Sequence, residues 1–355
     1  MMQDDAIVIV GIGAQTSLGR DVVSSVGAIR AGLCALAEHP FMIDRYGEPM
    51  VVARAEWLDA SMPVVERVAA MTADAVAEAI APLQATPSSS RGSIVLQLAS
   101  SAEHLPSEGH RSKIAGVCIE HLRSVGAVSG AHWSFDGHAA GLFALEQAIA
   151  KLRGGEATLA VVVGADSWLD PQRLESIDYS DRLHSCNRSW GFSPGEGACC
   201  CVVARARIAR ELGLEPLAQI FAVASASESN LMGTQTICVG EGLTKAFRGV
   251  LSSTRKVNQS YCDFNGETYR ADEFGFTACR TGEGFHDAGT FTAAAQGWGD
   301  VGAASGLLGI MLAVADWRDG AANGPVSLAW SSSATSPLRV AALLGEVGQT
   351  SGDVR

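Results

Sequence analysis

The sequence has 355 residues, of which 47% are hydrophobic and 18% are charged, which excludes a disordered chain and provides for a large core. This length exceeds the usual size of one hydrophobic core and predicts two halves or domains. The 26 basic and 38 acidic residues give a net charge of −12, which would repel nucleic acid over most of the surface, so we expect no nucleic-acid partner.

The start of the chain favours a cytoplasmic protein. Asp4 and Asp5 stand where a secretory signal would carry basic residues, and an apolar run follows at once. The longest nearly uncharged apolar stretch, residues 301–315, is shorter than the roughly 18 residues that a membrane span needs. We therefore expect no membrane association and interpret residues 301–315 as a buried helix.

The apolar run at residues 6–10 predicts a first strand. A glycine-rich turn is predicted over residues 11–19, and a helix is predicted from Asp21. A dinucleotide-binding turn would need glycine at the position of Thr16. The segment therefore favours a tight turn at the edge of a sheet, and we expect no cofactor.

The middle of the first half alternates between helix and strand patterns. Residues 65–83 predict a helix, residues 85–92 a loop, and residues 93–99 a strand. Residues 158–164 are continuously apolar, as in a strand that is buried on both faces. This alternation indicates an α/β fold.

The nine cysteines form an odd set without C-x-x-C spacing, so we expect neither disulfides nor a metal site. Cys199, Cys200 and Cys201 precede two valines. Small hydrophobic residues inside a buried strand are the simplest interpretation of this triplet.

An internal repeat appears when the sequence is shifted by 165 positions against itself. Residues 141–155 then align with residues 306–320, six of the fifteen positions are identical, and Gly137 falls on Gly302. Each copy is an apolar helix that ends at a glycine and is followed by a strand. Because helices that are apolar all round are buried, the repeat predicts a duplicated chain with two central helices that pack together.

These features resemble the thiolase-like fold, and the motifs resemble β-ketoacyl-acyl-carrier-protein synthases. Residues 9–19 are similar to the opening strand and turn of that family, and residues 153–166 to the strand after its nucleophile helix. Residues 190–198 (WGFSPGEGA) and 302–306 (GAASG) are similar to two of its glycine-rich loops. Together these segments cover nearly the whole chain.

The resemblance implies duplicated α-β-α-β-α layered halves with two central buried helices. We expect the first half at residues 1–210, the second at residues 211–345 and a polar tail at residues 346–355. It also implies a dimer, either with itself or with a catalytic homologue, formed through the strand near residues 159–163.

The resemblance also implies that the catalytic side chains have been replaced. Counting along the motifs, His138 stands where these synthases carry a nucleophilic cysteine, Asn265 stands at their first histidine, and Gly299 stands at their second. Ala294 takes the place of a lysine. The late glycine-rich gate falls on residues 331–335, with Ser332 at its aromatic position. We therefore expect that condensation is lost.

The remaining site candidates come from the loops predicted around the same pocket. Ser331, Ser332, Ser333, Thr335 and Gly299 are candidate substrate-binding residues.

Glu267 is a candidate acid or base that would pair with His138 or Arg270. A helix N-terminus disfavours imidazolium, so we expect a largely neutral His138 that could act as a base. Cys186 and Cys262 are the thiols nearest to the pocket loops, and either would be a displaced nucleophile.

Two functions remain open at this level. One is a non-condensing subunit in fatty-acid or polyketide-type metabolism that binds an acyl group or a catalytic homologue. The other is an acyltransferase, thioester hydrolase or decarboxylase that uses His138 and Asn265 on acyl carrier protein or acyl-coenzyme A. Because carrier proteins are acidic, the second would need a local arginine patch on this acidic chain.

Overall fold

A computed structural model describes residues 3–86, 92–102, 105, 107–232, 236–252 and 254–348. Parts of the predicted loop at 85–92 and of the predicted tail at 346–355 lie outside these residues. The strands are β1 (Ile7–Thr16), β2 (Leu36–Ile43), β3 (Pro49–Ala53), β4 (Ser93–Ala99), β5 (Ala127–Ser134), β6 (Leu159–Ser167), β7 (Glu196–Arg205), β8 (Ala218–Ser227), β9 (Gln259–Cys262), β10 (Phe291–Thr292), β11 (Val326–Ser332) and β12 (Leu338–Gly345). The helices are α1 (Val22–Arg30), α2 (Val64–Gln84), α3 (Glu108–Leu122), α4 (Ala140–Arg153), α5 (Pro171–Tyr179), α6 (Ala206–Glu211), α7 (Glu241–Val250), α8 (Thr268–Thr281), α9 (Ala295–Trp298) and α10 (Ser305–Arg318).

Ten strands follow one another in the order β10-β9-β11-β12-β8-β1-β7-β6-β4-β5. The strands from β1 to β7 in this row belong to the first half of the chain, and β8 to β12 belong to the second. The two groups join where Ile7 of β1 pairs with Ile220 of β8 in antiparallel register. Strands β2 and β3 form a separate hairpin. The predicted division at residue 210 falls within α6, just ahead of β8.

The helices pack in layers on both faces of these strands. Helices α4 and α10 contact each other and also contact strands of both halves, so they form the middle layer. Helices α2 and α3 cover the first group of strands, and α7 covers the second group together with α8. The predicted α/β fold with two central buried helices is confirmed.

The repeated glycines lie where the two central helices cross. A Cβ on Gly141 would stand 2.5 Å from the carbonyl oxygen of Ala303, and a Cβ on Gly306 would stand 2.5 Å from Leu142 Cγ. The preceding pair, Gly137 and Gly302, begins matching 3₁₀ turns with φ of 59° and 52°. The identities in the repeat therefore preserve a close helix crossing and the turn that leads into each helix.

The predicted glycine-rich turn after the first strand is wrong, because β1 continues to Thr16. Gly11 and Gly13 lie inside the strand, where a Cβ on either would stand 2.1 Å from a backbone oxygen of α2. These glycines therefore allow α2 to rest on the strand. The predicted helix after Asp21 is confirmed, and Asp21 caps its N-terminus by accepting a hydrogen bond from the Ser24 amide at 2.7 Å.

The predicted dimer strand is also wrong. Residues 159–163 belong to β6, which is buried and pairs with β4 on one side and β7 on the other. A strand with both edges paired cannot receive a strand from another chain. One end of the sheet is β5, whose residues 127–131 alternate between exposed and half-buried.

The cysteine triplet and the apolar helices complete the comparison with the sequence. Cys199, Cys200 and Cys201 lie in β7 and are completely buried, as predicted. Among the residues that the structure describes, none of the helices combines the length and the apolar character that spanning a bilayer requires.

Candidate active site

His138 lies directly ahead of the first central helix. It occupies the middle of the 3₁₀ turn Gly137–Ala139, and only 2% of its surface is exposed. The positive φ of Gly137 turns the chain so that the imidazole enters the space between the two halves. Ser333 Oγ accepts a hydrogen bond from the Ala139 amide at 3.3 Å, which ties this turn to the end of β11.

The main partner of His138 is a carboxylate that sequence reasoning did not include. Asp300 Oδ2 accepts hydrogen bonds from His138 Nε2 at 2.8 Å and from Asn265 Nδ2 at 2.6 Å. Its Oδ1 accepts from Trp168 Nε1 at 3.0 Å and from the Gly302 amide at 2.8 Å. Asp300 is 2% exposed, so the two halves of the chain meet around a buried and fully hydrogen-bonded carboxylate.

This environment decides the charge of Asp300. Burial on its own raises the pKa of this carboxyl, but the His138 imidazole opposes burial by charge and by hydrogen bonding. The Arg270 guanidinium and the Asn265 amide act in the same direction, and together these groups hold the pKa of Asp300 well below its usual range. Asp300 is therefore an anion at neutral pH. The prediction of a neutral His138 rested on the helix N-terminus alone and stays a prediction.

Asn265 lies between two carboxylates. Its Nδ2 donates to Asp300 and, at 3.0 Å, to Glu267 Oε2. Glu267 Oε1 accepts from Arg182 Nε at 2.7 Å, and its Oε2 lies 3.8 Å from Arg270 Nε. Of the two predicted partners of Glu267, Arg270 is therefore the one that lies near its carboxylate. Asn265 lies between Glu267 and the His138–Asp300 pair.

The position of the family's second histidine has no room for a side chain. Gly299 has a φ of 75°, and a Cβ there would stand 2.9 Å from Ala53 Cβ and 2.9 Å from Gly195 Cα. The side chain that reaches the site comes from the next residue, Asp300. Ala294, at the position of the lysine, is a buried apolar residue ahead of α9.

The serines after Trp330 are buried in the wall of the site. Ser331, Ser332 and Ser333 have no exposed surface, and Ser333 Oγ donates to the carbonyl oxygen of Asp136. The Ser332 amide donates to Asp263 Oδ2 at 2.8 Å. Thr335 is nearby, because a Cβ on Gly137 would stand 3.9 Å from its hydroxyl. These residues hold the end of β11 against the His138 turn.

The two candidate thiols do not resemble an activated nucleophile. Cys262 Sγ donates to the carbonyl oxygen of Thr292 at 3.6 Å, and burial raises the pKa of this thiol far above its usual range. Cys186 is exposed in a turn formed by the Ser185 and Arg188 backbones. Among the contacts that the structure describes, none joins either thiol to the His138–Asp300 pair.

Sequence reasoning missed Asp300 and Trp168. A signal for Asp300 was present, since it is the one charged residue between Asp287 and Asp316. A single acid in a long apolar stretch indicates a buried charge that needs a partner. Trp168 gave no such signal, because its role depends on a contact with a residue 132 positions away.

No protein-family model and no curated protein sequence matches this chain. Solved ketosynthases match its structure. One, from a type II polyketide synthase in complex with its acyl carrier protein, has a TM-score of 0.78 at 15% identity over 97% of this chain and 100% of its own. Another, from module 6 of the bacillaene synthase of Bacillus subtilis 168, has a TM-score of 0.77 at 14% identity over 97% of this chain and 73% of its own.

The ishigamide ketosynthase/chain length factor gives a similar result. Its TM-score is 0.77 at 15% identity, over 98% of this chain and 100% of its own. The resemblance to the ketosynthases and to their thiolase-like fold is therefore confirmed at the level of the fold.

Proposed function

We propose that this protein is a non-condensing subunit with the ketosynthase fold, which acts by binding another protein or an acyl group. The observation that supports this proposal is the Asp300 network at the N-terminus of α4. His138, Asn265 and Trp168 all donate to one buried carboxylate where the resembled synthases arrange their reacting groups.

Condensation by these synthases needs a thiolate that accepts the acyl group. His138 supplies no sulfur, and an acyl-imidazole hydrolyses too readily to hold the acyl group between steps. Removing the nucleophile abolishes the covalent route, and each lost donor to an oxyanion costs about 10²–10³ in rate. The same replacement leaves the fold intact, because the His138–Asp300 pair satisfies its own hydrogen bonds.

A second candidate function is hydrolysis or decarboxylation of an acyl thioester by His138 and Asn265. It is favoured by the 2.8 Å contact between His138 Nε2 and Asp300, because a carboxylate that orients an imidazole is typical of general-base catalysis. Against it, Nε2 is engaged by Asp300 and the imidazole is almost completely buried.

The partner that fits the first function is a second ketosynthase-fold chain, either another copy or a catalytic homologue. Strand β5 lies at the end of the sheet, and exposed Ala127, Ser129 and Ala131 alternate along it. An unpaired strand edge with small side chains can pair with a strand of another chain. Two of the similar structures are a ketosynthase/chain length factor and a ketosynthase with its acyl carrier protein, so a carrier protein or acyl-coenzyme A is the other candidate ligand.

Intact-mass analysis after incubation with acyl-coenzyme A and acyl carrier protein tests the chemistry. We expect an unchanged protein mass and no loss of thioester, with an active ketosynthase as the positive control. A stable adduct on a thiol would contradict the proposal. Thioester hydrolysis that disappears in His138→Ala would establish the second candidate instead.

Light scattering after size-exclusion chromatography tests the partner. Ala131→Lys places a charge on the β5 edge and should prevent association with a second copy or with a catalytic ketosynthase. Ala321→Lys changes an alanine in an exposed turn outside β5 and should leave association unchanged. Equal association by both variants would exclude β5 as the docking edge.

A further inference from the structure

Three metal-binding side chains converge in the second half of the chain, outside the candidate active site. Glu228 directly follows β8, Cys238 precedes α7, and Glu273 lies within α8. One ligand atom from each lies within 4.8 Å of the other two. We propose that Glu228, Cys238 and Glu273 form a binding site for one zinc ion.

Glu273 provides independent support for this proposal. It is completely buried, and among the residues that the structure describes its Oε2 has no hydrogen-bond partner. Its Oε1 is engaged, since it accepts from Arg339 Nε at 2.5 Å and lies 3.8 Å from Cys238 Sγ. A buried carboxylate oxygen without a partner costs free energy, and a cation bound by Oε2 would remove that cost.

Glu228 is already oriented as a ligand would be. Backbone amides of Ser229 and Asn230 donate to its Oε1 at 3.0 and 3.2 Å, and the Gly242 amide donates to its Oε2 at 2.8 Å. A carboxylate oxygen has two acceptor positions, so Oε2 keeps one for a metal. Hydrogen bonds of this kind fix ligating carboxylates in known metal sites.

The ligand set favours zinc among divalent cations. A cysteine sulfur with carboxylate oxygens suits zinc, whereas magnesium and calcium prefer oxygen alone. With a thiolate at Cys238, the three ligands carry three negative charges. The Arg339 guanidinium bound to Glu273 balances one of them, and a divalent ion balances the other two. Ligand atoms around tetrahedral zinc are about 3.5 Å apart, so the three groups need to approach by about 1 Å. Cys238 is half-buried, which leaves room for water as the fourth ligand.

The local backbone shows what such an ion would join. Gly240 has a φ of 66°, and a Cβ there would stand 2.4 Å from the carbonyl oxygen of Glu273 and 2.7 Å from the Thr277 hydroxyl. The segment that carries Cys238 is thus pressed against α8 beside the cluster. Bound zinc would connect the end of β8, the start of α7 and the middle of α8 in a structural site.

Native mass spectrometry and zinc titration of the full chain test this proposal, with cobalt(II) as a spectroscopic probe. We expect one zinc ion per chain and, with cobalt, a near-ultraviolet band from thiolate coordination. Cys238→Ser should weaken zinc binding at least about tenfold and abolish that band. Cys279→Ser removes an exposed thiol from α8, the helix that carries Glu273, and is the matched control that should keep both the affinity and the band.

Equal zinc affinity of the wild type and Cys238→Ser would overturn the proposal, as would a cobalt complex without the thiolate band. Loss of binding in Cys279→Ser alone would assign the ion to an exposed thiol instead. Glu228→Gln provides a second variant that leaves the Arg339–Glu273 pair unchanged. It should also weaken binding, and unchanged affinity there would remove Glu228 from the site.

Discussion

Asp300→Asn tests whether the buried carboxylate holds the two halves of the chain together. The substitution keeps the shape of the side chain but removes its charge. Asparagine can accept through Oδ1 but presents donors at Nδ2, which would face His138 Nε2 or the Asn265 amide. One set of donors is then left without an acceptor inside the protein.

The magnitude follows from the contacts. Asp300 accepts from an imidazole, an indole, a side-chain amide and a backbone amide, all at 2.6–3.0 Å. Each hydrogen bond to a charged group contributes about 1.5–3 kcal/mol, and removing one partner of a buried pair costs about 3–5 kcal/mol. We expect Asp300→Asn to lower the free energy of unfolding by about 3–5 kcal/mol at pH 7.

The pH dependence has a defined sign. The pKa of Asp300 is lower in the folded protein than in the unfolded chain, where it is about 3.9. Its stabilisation is therefore complete above the unfolded value and is lost as the pH falls through the folded value. The difference between wild type and Asp300→Asn should be largest near pH 7 and should shrink below about pH 4.

Urea unfolding followed by tryptophan fluorescence at several pH values measures this difference. Asp272→Asn, at an exposed position on α8, is the matched control and should change stability by less than about 0.5 kcal/mol. If Asp300→Asn is as stable as this control at pH 7, the carboxylate does not anchor the halves.

Three further predictions concern a close glycine contact, a buried ion pair and a thiol. Gly141→Ala should lower the free energy of unfolding by about 1–3 kcal/mol in urea, because the added Cβ would meet the backbone oxygen of Ala303. Gly116→Ala on α3 is the control and should not destabilise the protein, because its Cβ would meet no described atom within 4 Å. Arg67→Ala should lower the free energy of unfolding by about 3–5 kcal/mol in the same assay, because it leaves the completely buried Glu196 carboxylate without its cation. A decrease below about 1 kcal/mol would contradict this prediction. Cys262, which is half-buried, should react with iodoacetamide at about pH 8 more slowly than the exposed thiols, because burial raises the pKa of its thiol. Peptide mapping should show alkylation of the exposed thiols first, and early labelling of Cys262 would contradict this prediction.

The fold could be predicted because it is repeated in the sequence. Gly141 and Gly306 are equivalent in the repeat and meet at the same crossing, so a comparison of the chain with itself locates the central layer. Strand β6 carries a continuous apolar pattern, and β4 carries one that only Gln97 interrupts, as burial in a sheet requires. The sequence did not predict the end of β1, because closely spaced glycines such as Gly11 and Gly13 are typical of turns. Their close contact with α2 depends on packing between distant segments.

The site could be predicted in part. Counting along the motifs placed His138 at the start of α4, and local order along the chain is sufficient for that. It did not place Asp300, because position 299 aligned with the family's histidine while the side chain that enters the site belongs to the next residue. Nor could it choose the β5 edge over β6, since strand order in a sheet is set by non-local pairing.

The side chains of His138 and Asp300 depend on each other in physical terms. An imidazolium at position 138 without Asp300 would be a buried charge without a partner, and Asp300 without His138 would lose a major source of its stabilisation as an anion. A cysteine restored at position 138 alone would face this carboxylate, whose charge opposes the thiolate that condensation requires. Under the proposed non-condensing function, condensation would therefore need simultaneous changes at both positions, and a role in binding requires neither.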